Sequence, residues 1–292
     1  MRLAASTVLR EDWLAAVRAG LGRFAAFELA SPGPRLPGSP SELRALARLK
    51  ARRGLAYSVH APFRELDIAS ADPELQARTE RLYAAALEAA GAVEAEVVVM
   101  HPAMVSLAGW AALGGAARRA LRRREADAFA RLARRAARLG MRVAVENMPA
   151  FRAARTASWQ LGVAAAVGSR WLGCAADVGH AHTAGLPARL LFEALGGKLW
   201  HVHVHDNSGW GDQHRAVGEG SVDWRSVAET LVERDYRGLV VNESLDLAAQ
   251  VRGSARLSRL AEQAARLGRP RRPIAAGRGA ASSPPPAPRT AP

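Results

Sequence analysis

The residues best suited to chemistry lie between Leu199 and Gly220, which read Leu-Trp-His-Val-His-Val-His-Asp-Asn-Ser-Gly-Trp-Gly-Asp-Gln-His-Arg-Ala-Val-Gly-Glu-Gly. The run opens with strict alternation. Trp200, Val202 and Val204 share one face of a strand, and His201, His203 and His205 share the other. The apolar face suits a layer of helices outside a sheet, whereas three imidazoles make poor core filler. The strand ends in Asp206-Asn207, and a Gly-rich loop then carries Asp212 and His214. A strand that delivers His, followed by a loop that delivers Asp and His, suggests part of a metal site.

The other titratable residues sharpen this expectation. All 8 histidines (His60, His101, His180, His182, His201, His203, His205 and His214) fall at or just beyond predicted strand ends, and none sits on a helix face. Glu146, Asp177 and Glu243 occupy comparable places. Inward-facing carboxylates with no obvious Arg or Lys partner are costly unless something cationic sits among them. Imidazole and carboxylate without thiolate suit zinc, manganese, iron or cobalt. Taken singly, any strand-end histidine is ordinarily a satisfied polar residue; the ordered set carries the argument. His182, His201 and His205 fit roles behind the ligands or against a substrate, with a structural role as the competing reading. Asn147 either contacts substrate or braces its loop. Arg64 and Arg215 sit in loops where a substrate phosphate or hydroxyl could be held, the alternative being solvated loop arginines. Cys174, inside a strand, reads as a small core residue.

The elements that must position these groups alternate along the chain. Strands are predicted at residues 3–9, 24–29, 55–59, 96–100, 141–145, 171–176, 199–204 and 239–242. Helices are predicted at 11–19, at 41–53 with Ser41 as cap, from Asp72-Pro73 to 90, and at 122–139, 158–167, 187–195, 222–234 and 248–267. Residues between 102 and 122 read as a Gly/Ala-rich loop. Eight strands alternating with eight helices predict an α/β fold, a single (β/α)8 barrel over residues 1–268, with the candidate ligands at the carboxyl ends of its strands. A doubly wound sheet is the competitor, but the first βα turn lacks a Gly-rich phosphate fingerprint. Residues 269–292, rich in Pro, Ala, Arg and Ser without periodicity, read as a disordered tail.

Composition excludes several classes. The net charge is +14, but the stretch from Arg269 onward holds five arginines and no acid. Most of the remaining excess is Arg on Ala/Leu/Arg helices, a pattern of solvated faces rather than a nucleic-acid stripe. The single cysteine permits no internal disulfide and suits a reducing, cytoplasmic setting. The N-terminus reaches Arg10, Glu11 and Asp12 too soon for a signal peptide, and no apolar run is long enough to span a membrane.

Several short motifs then act together. Val59-His-Ala-Pro-Phe, Met100-His-Pro, Val145-Glu-Asn, Asp177-Val-Gly-His180, His203-Val-His-Asp206, Asp212-Gln-His214, Val217-Gly-Glu-Gly220 and Glu243 resemble the xylose-isomerase-like TIM-barrel superfamily from about Leu3 to Leu267. That group holds sugar and sugar-phosphate isomerases and epimerases, together with the endonuclease IV DNA-repair enzymes. Resemblance to the isomerase branch implies one divalent metal held by Glu146, Asp177, His203 and Glu243. Resemblance to endonuclease IV implies three zincs, with His60, His101, His180, Asp212 and His214 added to those four. The chain departs from the endonuclease pattern where Phe63 and Arg64 replace the Tyr and large aliphatic residue that probe DNA. It departs again where Asp206-Asn-Ser-Gly209 lacks a lysine and where Ser-Leu, not Thr-Pro, follows Glu243. The run Gly218-Glu-Gly-Ser-Val-Asp-Trp224 is closer to the isomerase-like proteins.

The preferred expectation is a metal-dependent isomerase or epimerase of a sugar or sugar phosphate, with one to three zinc or manganese ions. It acts through an enediolate, and Glu146 and Glu243 carry the proton. The alternative is an endonuclease IV-like zinc phosphodiesterase, on DNA or a small molecule; DNA is a partner only in that case. A metal-binding protein without turnover is disfavoured by the complete ligand set.

Overall fold

Strands buried on both faces cannot alternate polar and apolar residues freely, and these strands are rich in Val and Ala. In the computed structural model, which describes residues 1–8, 12–33 and 38–268, eight such strands are present: β1 (Arg2–Ser6), β2 (Ala26–Ala30), β3 (Ala56–His60), β4 (Val98–Met100), β5 (Val143–Glu146), β6 (Leu172–Asp177), β7 (Leu199–Val204) and β8 (Leu239–Asn242). They are parallel and close in chain order, β8 pairing back onto β1. The predicted (β/α)8 barrel is therefore the observed fold. The expectation for residues 269–292 lies outside the described residues.

The outer ring comprises α1 (Trp13–Gly20), α2 (Pro40–Arg53) and α3 (Pro73–Ala92), followed after a short α4 (Leu107–Ala112) by α5 (Gly115–Leu139) and α6 (Ala157–Val167). A second short helix, α7 (Val178–Thr183), precedes α8 (Ala188–Leu195), α9 (Trp224–Glu233) and α10 (Leu247–Arg266). Apolar side chains between barrel and helices form two large clusters, one around Trp13, Tyr57, Leu87 and Phe129 and the other around Phe192, Leu199 and Tyr236. Two smaller clusters fill the barrel interior: Val97, Val99, Ala144 and Ala175, and Ala4, Ala26, Leu239 and Val241. Small interior side chains leave the carboxyl-end half of the barrel for polar residues.

Some boundaries differ from expectation for local reasons. Ser39, not Ser41, caps α2: its Oγ accepts from Glu42 N at 3.3 Å, and Pro40 takes the first turn, where its missing N–H costs nothing. The predicted 103–121 loop contains α4 and the start of α5, because the Ala/Arg run keeps its helix propensity back to Gly115. The helix α7 is absent from the sequence-based expectation. It begins as soon as β6 ends, because the Asp177 carboxylate accepts from His180 N at 2.6 Å and caps it. No helix among the described residues is long and apolar enough to cross a membrane.

Candidate metal centre

The barrel register brings the acidic and imidazole side chains to one level. Asp177 is opposite His203, and Ala30 is opposite His60. Glu146 closes β5, His101 follows β4, and Glu243 follows β8. Their side chains converge inside the mouth of the barrel.

Glu146 is the hub. Its Oε2 lies 3.3 Å from His60 Nε2 and 3.1 Å from His101 Nε2. Its Oε1 lies 2.7 Å from His203 Nδ1 and 3.8 Å from His180 Nδ1. The same His203 nitrogen is 3.9 Å from Asp177 Oδ2 and 3.7 Å from Glu243 Oε2. A second group lies further out, where Asp212 meets His180 Nε2 at 3.2 Å, His214 Nε2 at 3.3 Å and His205 Nε2 at 3.5 Å. The sets His60/Glu146/His203, Glu146/Asp177/His180, Asp177/His203/Glu243 and His180/His205/Asp212/His214 each keep one potential ligand atom per residue within 4.8 Å of the others.

The imidazoles are oriented from behind. His60 Nδ1 is 2.8 Å from Ala61 O, His180 Nδ1 is 2.8 Å from Asn147 O, and His214 Nδ1 is 3.0 Å from Glu243 O. Each carbonyl can only accept, so each Nδ1 donates and each Nε2 faces the carboxylates, donating a proton to them in the metal-free protein and offering its lone pair to a cation bound between them. The donor set fits a hard-to-borderline divalent cation. Asp177 Oδ2 is buried without a hydrogen-bond partner, a costly state for a carboxylate oxygen unless a cation sits beside it.

Electrostatics without a metal bear the same mark. Burial works against ionisation of Glu146, but His203, His101 and His60 outweigh it and hold the carboxyl well below its usual range. Asp177 is likewise buried, yet lowered by His180 and His205. Burial opposes protonation of His203, but Glu243, Glu28 and Glu146 raise it well above the ordinary imidazole value. His180 is also raised against burial, by Asp177 and Asp212. His214, held by Asp212 and Glu243 against burial, is raised to about 9. His101 and His201 go the other way, pushed down by burial despite Glu146 and Glu28 respectively. Protons here occupy the places where a cation would balance the carboxylates of Glu28, Glu146, Asp177, Asp212 and Glu243.

All nine residues expected as ligands are thus gathered at one end of the barrel, in two adjoining groups. His205 joins the outer group, its ring stacked on His214 with centroids 3.9 Å apart. Asn147 stands behind the site: its Oδ1 accepts from Asp177 N at 2.8 Å and its Nδ2 donates to Asp177 O at 3.0 Å, the bracing arrangement. His182 turns away, its Nε2 2.8 Å from Ser221 Oγ. Arg64 and Arg215 are exposed, and Arg215 reaches Glu219 O at 3.5 Å. Sequence reasoning missed Glu28, which is fully buried on β2 and contacts both His201 and His203. An acid in the middle of an otherwise apolar strand was the available signal. It also missed the task of Asp206, whose buried carboxylate holds the loop bearing Asp212 and His214.

Comparison with known proteins agrees with this fold. The chain is 31% identical over 213 residues to the uncharacterized protein MJ1311 of Methanocaldococcus jannaschii, covering 72% of this chain and 71% of that protein. A 52-residue segment is 36% identical to the fructoselysine 3-epimerase of Escherichia coli O157:H7, which is 18% of this chain and 19% of the enzyme. Among solved structures, a D-tagatose 3-epimerase-like protein superposes with a TM-score of 0.81 at 26% identity, over 91% of this chain and 99% of that one. The TTHB071 protein of Thermus thermophilus, from a crystal soaked in zinc chloride, gives a TM-score of 0.71 at 25% identity, over 90% and 99%. The model of the xylose isomerase-like TIM barrel family matches residues 14–268, and the chain belongs to that family.

Proposed function

We propose that the protein is a divalent-metal-dependent epimerase or isomerase of a ketose or its phosphate. The observation that carries this reading is the convergence of two glutamates, Glu146 and Glu243, on His203 Nδ1 beside the partnerless Asp177 Oδ2. Glu146, Asp177, His203 and Glu243 would hold one zinc or manganese ion. Bound there, the ion would polarise a substrate carbonyl and the adjacent hydroxyl and so acidify the C–H between them. Glu146 and Glu243, arriving from different strands, supply two carboxylates; one takes the proton to leave an enediolate and the other returns it. Two proton carriers on different sides of the substrate invert a stereocentre, which a single base cannot do without a second donor. Phe63 packs edge-on against His60 at 5.2 Å between ring centroids, beside this end of the site. The similarity to a D-tagatose 3-epimerase-like structure supports the choice of reaction.

One observation favours a second reading. The outer group of His180, His205, Asp212 and His214, together with His60 and His101 on Glu146, would accommodate three ions, as a zinc phosphodiesterase requires. The two readings part on one experiment. Zinc- or manganese-loaded protein incubated with D-tagatose or D-fructose in deuterated water should incorporate deuterium beside the carbonyl, seen by NMR, and should not cleave DNA containing an abasic site. Three zincs per chain with abasic-site cleavage and no deuterium uptake would install the phosphodiesterase instead.

A further inference from the structure

Beneath the candidate metal centre lies a second polar layer. Glu28, in the middle of β2, is fully buried and in register with Ser58 of β3. Its Oε2 accepts from Ser58 Oγ at 3.0 Å and from His201 Nε2 at 2.9 Å. Its Oε1 lies 3.0 Å from His203 Nε2, an ion-pair contact between two buried atoms neither of which makes a well-directed hydrogen bond to any partner. His203 is thus gripped on both sides: Nε2 faces down to Glu28, and Nδ1 faces up to Glu146 at 2.7 Å, with Glu243 and Asp177 beyond. His203 is the one inner histidine whose rear nitrogen meets a carboxylate and not a main-chain carbonyl. The rear partners of His60 and His180 are carbonyls of Ala61 and Asn147.

We infer that Glu28 is a positioning residue for the metal centre. Because a carboxylate can only accept, it keeps the hydrogen of His203 on Nε2 and leaves the Nδ1 lone pair for a cation. Its negative charge also makes that nitrogen a stronger donor. Ser58 and His201 occupy the other oxygen, so the carboxylate is fixed in the rotamer that serves His203. The strand register of β2, β3 and β7 sets all three contacts before any ion arrives.

The inference rests on the metal-site reading above, and its test separates the two. Zinc affinity is measured by competition with a chromogenic chelator on wild-type protein, Glu28→Gln, Glu28→Asp and Ser58→Ala, with melting temperature and circular dichroism as companions. Glu28→Gln turns an amide N–H toward imidazole N–H groups and should weaken zinc binding by about 10- to 100-fold. Glu28→Asp keeps the charge but withdraws it by one methylene, and should fall between Gln and wild type. Ser58→Ala removes one of the two contacts that fix the Glu28 carboxylate but keeps its charge beside His203, and should weaken zinc binding less than Glu28→Gln does. If Glu28→Gln does not fold, Glu28→Asp decides alone. Zinc affinity unchanged in the folded Glu28 variants, with only a lower melting temperature, would overturn the positioning role and leave the metal site standing. A wild-type protein that takes up no zinc or manganese would overturn both.

Discussion

The inner and outer halves of the candidate metal centre are built on different principles. Glu146, Asp177 and His203 are carried by strands, and their side chains are at most 1% exposed. His180 rides on the short α7, and Asp212 and His214 sit in the loop after β7, their side chains 27% and 26% exposed. The inner group is placed by sheet register and backed from within the barrel, Asn147 bracing Asp177 and Glu28 standing behind His203. The outer loop is placed by side chains, above all Asp206, whose carboxylate accepts from Asn207 N, Gly218 N, Val222 N and Trp224 Nε1 at 2.9, 2.8, 3.2 and 2.6 Å. The backbones of Asp206 and Arg215 add a pair of hydrogen bonds at 2.9 Å. Even so, His214 is held at a φ of +47°, a strained conformation for a non-glycine residue. A site that must bind tightly can be laid on strands; one that must adjust to a substrate can be hung on a pinned loop.

The largest expected effect falls on the inner group. Glu146→Gln removes the anion shared by His60, His101 and His203. Turnover should drop by about 10²–10⁴-fold with the circular dichroism spectrum retained. Activity within a few-fold of wild type would show that the inner group is not the reacting centre.

Next comes the pin of the outer loop. Asp206→Ala leaves four donors without their acceptor and should lower stability by roughly 3 kcal/mol in urea unfolding. Zinc stoichiometry should fall only by what the outer group holds. Gly220→Ala should act in the same direction, since a Cβ there runs into the Asp206 carboxylate and Asn207 O. If Asp206→Ala removed all metal, the two halves would not be separable as described.

A cleaner cut is the double substitution His180→Ala with His214→Ala. Under the epimerase reading the inner ion stays bound with near wild-type affinity, while KM for the sugar rises several-fold. Loss of the inner ion in equilibrium dialysis would merge the two groups into one.

The same division explains what could be read from the sequence. The eight strands were legible because the apolar runs are short and separated by helical stretches, and β3, β4, β6 and β7 end at or close to histidines. The inner group followed because a ligand at a strand end needs only strand parity to be aimed inward. Glu28 escaped because the Phe-Glu-Leu context of β2 looks like any apolar strand, and its partners, Ser58 and His201, are 30 and 173 residues away. The grip of Asp206 on its loop escaped for a related reason. Its acid is conspicuous in the sequence, but the backbone donors that explain it become neighbours only after the loop closes. The short helix α7 begins at Asp177, a candidate ligand that doubles as its cap, so the residues that look like a turn after β6 are helical. His182 groups with the site in the sequence because it lies two residues past His180. On a helix, that spacing puts it on another face, toward Ser221.

The smallest effect is a pH dependence confined to the metal-free protein, and it would sharpen the contrast between halves. His214 is raised from 6.5 to about 9, and His180 and His203 are raised well above 6.5. A histidine raised on folding contributes stability that is fully present below 6.5 and is lost as pH climbs through the folded value. His101 and His201 are lowered, so their contribution is present above 6.5 and is lost only as pH falls below it. The depressed carboxylates Glu146 and Asp177 are lost only at lower pH still. Between pH 6.5 and 9 the raised histidines therefore dominate, opposed by the single lowered Met1 amino group, and the melting temperature of metal-free protein should decline across that window. A divalent ion competes with those same protons, so zinc binding should tighten over the same range and the gap between loaded and metal-free melting curves should widen. Replacing His214 by Ala should flatten the metal-free decline near pH 9 while leaving the part due to His203. A metal-free melting temperature that rises from pH 6.5 to 9 would mean that the imidazoles are not held protonated by the carboxylates, and that the protein does not feel the demand for a cation that its geometry implies.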